Sequence, residues 1–213
     1  MLQFLRDLFF KNVPSRLEIH TLVKAYTVAE TLLWSAWNFI TPIFGIYVTS
    51  LVGGTVDVAA TAYSIYLVSR VIFELVSGRY LVKKVIAYKF LLTILGMAII
   101  SLSYVGLAYS QLIIQIYIFY GMIGLGIGLA TPAKNALFSS HLTPDNDTSQ
   151  WSNLDASVFL SMALAAVVGG FIARIYGFEA LFLVAAGVNF LGIIPYLIYI
   201  KHWKKIKDET VLS

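Results

Sequence analysis

The chain has 213 residues, 59% of them hydrophobic and only 12% charged, with a mean hydropathy of +0.83. A soluble domain carries about 25% charged residues, so an ordinary globular protein is excluded. At about 20 residues per membrane span, six spans and their loops fill the chain and exclude a large extramembrane module. Cysteine is absent, which removes disulfide frameworks, thiolate nucleophiles and zinc–cysteine sites.

Residues 2–11 read as a short amphipathic helix ended near Pro14. That segment is too charged for a signal peptide and lacks a small-residue cleavage site, so residues 1–24 are expected to form a cytoplasmic and interfacial segment. Hydropathy, punctuated by Gly, Pro and charge, predicts spans at 25–52, 57–80, 86–109, 112–138, 153–174 and 178–200, with a cytoplasmic tail at 201–213.

The first span carries Glu30, Trp34, Trp37, Asn38 and Thr41 on one helical face. Trp34 and Trp37 lie too deep for an interfacial belt; stacking on a solute and ordinary packing both suit them. The second span carries Tyr63, Ser69, Arg70, Glu74 and Ser77. Arg70 falls near the midplane, where an arginine costs about 2.5–3.5 kcal/mol to insert. Two readings stand: a local pair with Glu74 one turn away, or a group that binds an anion.

The third span has no charge in its interior, and the connection before it contains Lys83 and Lys84. The fourth aligns Tyr117, Tyr120, Gly124, Gly128, Thr131 and Asn135, with Lys134 alongside. A loop is predicted over Ser139–Ser152, and the fifth span opens with Asp155 at its entrance, followed by Ser157 and Ser161. The sixth has Asn189 as its only amide. Spans one, two, four and five are therefore expected to border a polar cavity or interface, and spans three and six to face mostly lipid. Asn38, Arg70, Trp34, Trp37, Thr41 and Tyr120 are the candidate solute contacts. Glu30, Glu74, Lys134, Asp155, Lys83 and Lys84 are the candidate coupling or gating groups, with Glu30 open to a second role as a protonatable carboxylate. Pro42 and Pro132 predict kinks.

Thirteen of the fifteen Lys and Arg residues fall on one side of this scheme; Arg174 is opposite and Arg70 lies within a span. By the positive-inside rule both termini are cytoplasmic, in the cell membrane. This asymmetry accounts for the net charge of +4 without a nucleic-acid partner. His20, His141 and His202 all fall in loops or span ends, so no metal or cofactor is expected.

The chain also repeats itself. Thr41-Pro42 recurs as Thr131-Pro132, Ser69 and Gly78 recur 92 positions later as Ser161 and Gly170, and Gly96 is matched by Gly187. Two three-helix units, 25–109 and 112–200, follow. An odd number of spans per unit makes the copies inverted. The expected fold class is an all-α polytopic membrane protein of six transmembrane helices built as two inverted three-helix repeats.

The stretch Ser77-Gly78-Arg79-Tyr80-Leu81-Val82-Lys83-Lys84, the Gly-rich fourth span, Gly169-Gly170, Gly177-Phe178 with Phe182, and Trp151-Ser-Asn-Leu-Asp155 together resemble one six-helix half of a major facilitator superfamily transporter. The resemblance covers nearly the whole chain. Val82 stands at the acidic position of the family's Gly-x-x-x-Asp-basic loop, and Val85-Ile86-Ala87 replaces its later Gly-basic-basic. Tyr120 stands about where proton-coupled members carry an arginine, and Ala165-Ala166 replaces the Gly-Pro of the antiporter motif. These departures weigh against proton antiport and towards facilitated diffusion or unorthodox coupling.

The resemblance implies a secondary transporter of a small solute, working by alternating access. Twelve-helix relatives carry two such halves, so a parallel homodimer with helices two and five at the seam is expected. The alternative is a non-transporting scaffold or assembly subunit derived from a transporter half. An intramembrane enzyme is not expected, because neither a nucleophile motif with a buried histidine nor paired aspartates are present.

Overall fold

The computed structural model describes residues 21–51, 53–81, 86–142 and 146–200. The expected N-terminal anchor, Lys83, Lys84 and the tail lie outside the described residues. Helix α1 (Thr21–Ile40) passes through a 3-10 turn (Thr41–Ile43) into α2 (Phe44–Leu51). Then follow α3 (Val56–Leu81), α4 (Ile86–Ala108), α5 (Ile113–Ser139) and α6 (Asp147–Leu191), with residues 194–200 helical beyond a turn.

Among the described residues, five helical stretches are long and apolar enough to cross a membrane: Leu22–Ser50, Val56–Leu81, Ile86–Ala108, Ile113–Ser139 and Asp147–Ile200. The 45 residues of α6 would measure about 68 Å as one straight helix, roughly twice the hydrocarbon thickness of a bilayer. It is broken at Gly177, whose φ of 83° and ψ of 173° are non-helical. A side chain would be strained there, so glycine suits the break.

Helix α6 begins at Asp147, inside the predicted Ser139–Ser152 loop. Hydropathy reports where a helix turns apolar, whereas its first turns here are polar. Pro42 sits in the 3-10 turn, where the chain tightens instead of continuing α1. Helix α5 remains helical through Pro132.

Polar side chains inside α1 bond back along their own helix. Thr27 Oγ1 donates to Val23 O, Thr31 Oγ1 to Thr27 O, Asn38 Nδ2 to Trp34 O and Thr41 Oγ1 to Trp37 O, at 2.8–3.1 Å. With no water in a bilayer core, this local satisfaction lets such residues sit on a spanning helix at little cost.

Helix α5 lies between α3 and α4, and its glycines explain how. A methyl group on Gly124 would strike Tyr66 O of α3, and one on Gly128 would lie 2.7 Å from Arg70 O. Gly126, on the opposite side, abuts α4 at Gly96, where each glycine leaves room only for the other's backbone. Small residues permit this approach where lipid supplies no hydrophobic drive for helix association. Helix α1 packs along α6, where Gly169 lies against the Phe39 backbone.

Two serine hydroxyls mark these contacts at matched places. Ser69 Oγ of α3 donates to Gly121 O of α5 at 2.7 Å, and Ser161 Oγ of α6, which donates to Val158 O of its own helix at 2.7 Å, lies 3.4 Å from Thr31 O of α1. Asn189, fully buried, donates from Nδ2 to Met97 O and Ser101 Oγ of α4, both at 2.8 Å.

Helix α4, expected to face mostly lipid, has half of its most apolar window buried, against 17% for α3. Its contacts with both α5 and α6 account for this. The buried side chains form two clusters. One gathers Trp37, Phe44, Tyr47, Tyr66, Tyr120 and Phe182; the other gathers Tyr26, Phe90, Phe138, Leu154 and Tyr196. Trp34 packs against both.

Candidate functional site

The junction between the two clusters holds a buried ion pair. Lys134 Nζ of α5 lies 2.6 Å from Glu30 Oε1 of α1, with side-chain exposures of 2% and 9%. Trp34, one turn after Glu30, donates its indole Nε1–H to Glu30 Oε2 at 3.1 Å. One turn before it, Tyr26 donates to Asn135 Oδ1 of α5 at 2.7 Å. Helical spacing thus stacks Tyr26, Glu30 and Trp34 on one stripe of α1, facing Lys134 and Asn135 on α5.

Withdrawing two charges from water is costly unless they pair closely and their remaining lone pairs are satisfied. Both carboxylate oxygens of Glu30 are engaged, one by the ammonium and one by the indole. The arrangement can therefore hold a charge pair stable in an apolar bundle, and protonation of Glu30 or a competing anion at Lys134 would break it.

A second polar centre lies on α3. Arg70 Nε is 3.3 Å from Glu74 Oε2, and its Nη1 donates to Tyr66 OH at 3.2 Å. These side chains are only partly buried, at 28% exposure for Arg70 and 37% for Glu74. The Tyr66 ring stacks at a tilt on Trp37 with 4.7 Å between centroids. Trp37 also neighbours Tyr120, which stacks on Phe44 at 4.2 Å.

The two sets of candidates thus regroup. Trp34 joins the Glu30–Lys134 pair as a hydrogen-bond donor. Trp37 and Tyr120 are buried in the aromatic cluster, so packing accounts for both. Glu74 pairs within its own helix. Asn38 and Thr41 bond back to α1 and are partly or fully exposed. Asp155 is exposed on α6, within electrostatic reach of the Tyr26 hydroxyl.

Sequence reasoning missed Tyr26 and Tyr66. Both stand four residues before a charged partner on the same helix, Glu30 and Arg70, so that spacing was the available signal. It also missed Tyr196, for which the sequence offers no local signal.

The Major Facilitator Superfamily pattern matches residues 27–210. No curated protein matches the chain. Among solved structures, a mutant of the peptide transporter POT in complex with alafosfalin superimposes with a TM-score of 0.74 at 21% identity, covering 92% of this chain and 42% of that one. The peptide transporter POT in complex with sulfate superimposes with a TM-score of 0.72 at 20% identity, covering 91% and 41%. The chain therefore spans about two fifths of the length of these structures.

Proposed function

Since the chain belongs to the Major Facilitator Superfamily, a family of membrane transporters, we propose that it is a secondary transporter moving a small solute by alternating access. The observation that carries this reading is the Glu30–Lys134 pair: two charges joined at 2.6 Å between α1 and α5 inside an apolar bundle. Intramembrane charges are costly, and function is their default explanation. In this reading the closed pair belongs to one state, and protonation of Glu30 or arrival of the solute opens it to favour the other. Arg70, partly exposed and with guanidinium N–H groups beyond those given to Glu74 and Tyr66, is the anion-binding group. Asn38 and Thr41 line the same solute path. Glu74 and Asp155 serve gating, with Lys83 and Lys84 at the cytoplasmic connection.

The reading takes the break at Gly177 as dividing the last stretch into two spans, giving six with both termini cytoplasmic. Two inverted units, 25–109 and 112–200, are supported by the matched serine–carbonyl contacts. The donors Ser69 and Ser161 are 92 positions apart, and the acceptors Thr31 and Gly121 are 90 apart, so the α3–α5 contact and the α1–α6 contact exchange under one operation. The exposed apolar residues of α3 recur on α6 at the same offset: Leu67 with Phe159, Ile72 with Leu164, Leu75 with Val167. These two faces form the seam of a parallel homodimer, the arrangement by which two copies supply twelve helices.

Because the similar structures are peptide transporters, dialanine is the first solute to test, followed by sugars and organic anions. Uptake into proteoliposomes is expected, and is lost in Arg70→Ala and reduced in Asn38→Ala. Unchanged uptake by both variants would sink the site assignment, and no uptake of any solute would favour the scaffold reading.

A further inference from the structure

Tyr196 is fully buried, and its hydroxyl has no hydrogen-bond partner among the described residues. A buried hydroxyl without a partner costs about 1–3 kcal/mol, and phenylalanine would fill the same space without that cost. The ring packs edge-on to Phe90, with 6.3 Å between centroids, in the cluster that also holds Tyr26, Ala29 and Leu137. Residues 194–200 thus bring the phenol beside the stripe of α1 that carries the ion pair, within electrostatic reach of Glu30 and of Tyr26.

The groups around Glu30 are otherwise spoken for. Lys134 and the Trp34 indole occupy its two oxygens, and Tyr26 is spent on Asn135. Asp155, exposed on α6, is a carboxylate and brings no donor to Glu30 when ionised. Tyr196 adds a donor to this cluster whose hydroxyl no described residue engages. Resting on the coupling role read above for Glu30, we propose that Tyr196 is a positioning residue for the opened state: when Lys134 leaves Glu30, the Tyr196 hydroxyl donates to the freed carboxylate. An unpartnered hydroxyl in one state and a hydrogen-bonded one in the other makes the side chain a bias between the two. Where the solute rather than a proton opens the pair, the phenol takes the place of the departed ammonium as a donor to the carboxylate.

The test uses the full chain and reads the Glu30 carboxyl directly, by isotope-edited infrared titration of wild type, Tyr196→Phe, Lys134→Gln and the double variant. Tyr196→Phe alone is expected to leave the Glu30 midpoint close to wild type, because the hydroxyl is unused while the pair is closed. In the Lys134→Gln background, Tyr196→Phe is expected to raise the midpoint by about one pH unit, the worth of one hydrogen bond to a charged group. An equal midpoint in Lys134→Gln with and without the phenol overturns the proposal. Thermal melting of Tyr196→Phe gives a second reading that does not need the double variant. Melting at or above the wild-type temperature agrees with an unspent hydroxyl, and a fall of several degrees overturns it. Uptake by the wild-type chain is measured alongside; its absence overturns the transport reading, while the titration still decides the role of Tyr196.

Discussion

Lys134 and Glu30, 104 positions apart in sequence, meet at 2.6 Å with almost no exposure. Replacing one partner strands the other charge in an apolar interior, which costs about 3–5 kcal/mol, whereas an apolar replacement of both is close to neutral. Glu30→Gln alone is therefore expected to lower the melting temperature of the purified chain markedly. Glu30→Gln combined with Lys134→Met is expected to recover most of that loss. A double variant as unstable as the single one would mean that the pair stabilises by more than mutual neutralisation.

Gly169 and Gly170 provide an internal control for helix packing. A methyl group on Gly169 collides with the Phe39 backbone of α1, whereas one on Gly170 meets nothing within 4 Å. Gly169→Ala is expected to push α1 and α6 apart and cost about 1–3 kcal/mol, as overpacking does. Gly170→Ala is expected to be neutral or slightly stabilising, because alanine is the better helix former. Urea or mild sodium dodecyl sulfate unfolding of the two variants decides it; equal stability would contradict the close α1–α6 contact.

The sequence made some of this arrangement readable and hid the rest for identifiable reasons. The stripe of Glu30 and Trp34, and the Arg70–Glu74 pair, were legible because helical spacing is local. The choice of Lys134 as partner was not, since nothing in either segment encodes a contact across 104 positions. Hydropathy also could not tell the buried α4 from the exposed α3. In a membrane the helix-facing and lipid-facing sides are both apolar, so burial leaves little mark on composition. The internal offset was more telling: it paired Ser69 with Ser161, and both hydroxyls turn out to lie against a carbonyl of a neighbouring helix, at 2.7 and 3.4 Å.

Tyr66 holds Arg70 through a bond of 3.2 Å from Nη1. If Arg70 binds the solute, loss of that hold loosens its placement without removing the charge. Tyr66→Phe is then expected to raise KM for uptake by about tenfold with kcat little changed, a hydrogen bond to a charged group being worth about that much. Arg70→Ala is expected to abolish uptake. A Tyr66→Phe variant with unaltered KM would separate the tyrosine from solute binding.

The absence of cysteine makes the chain a ready background for crosslinking. Ile72 on α3 and Leu164 on α6 are both exposed apolar residues at matched positions of the two faces assigned to the seam. A C2 interface is isologous, so a contact from α3 to the partner's α6 occurs twice. The double variant Ile72→Cys/Leu164→Cys is therefore expected to form a covalent dimer in native membranes on mild oxidation. Leu102→Cys on α4 is exposed too but lies off the seam, and is expected to remain monomeric at the same expression level. Dimer from the α4 variant alone, with none from the seam pair, would move the interface away from α3 and α6. Since Arg70 shares α3 with Ile72, that result would also place Arg70 away from the dimer axis.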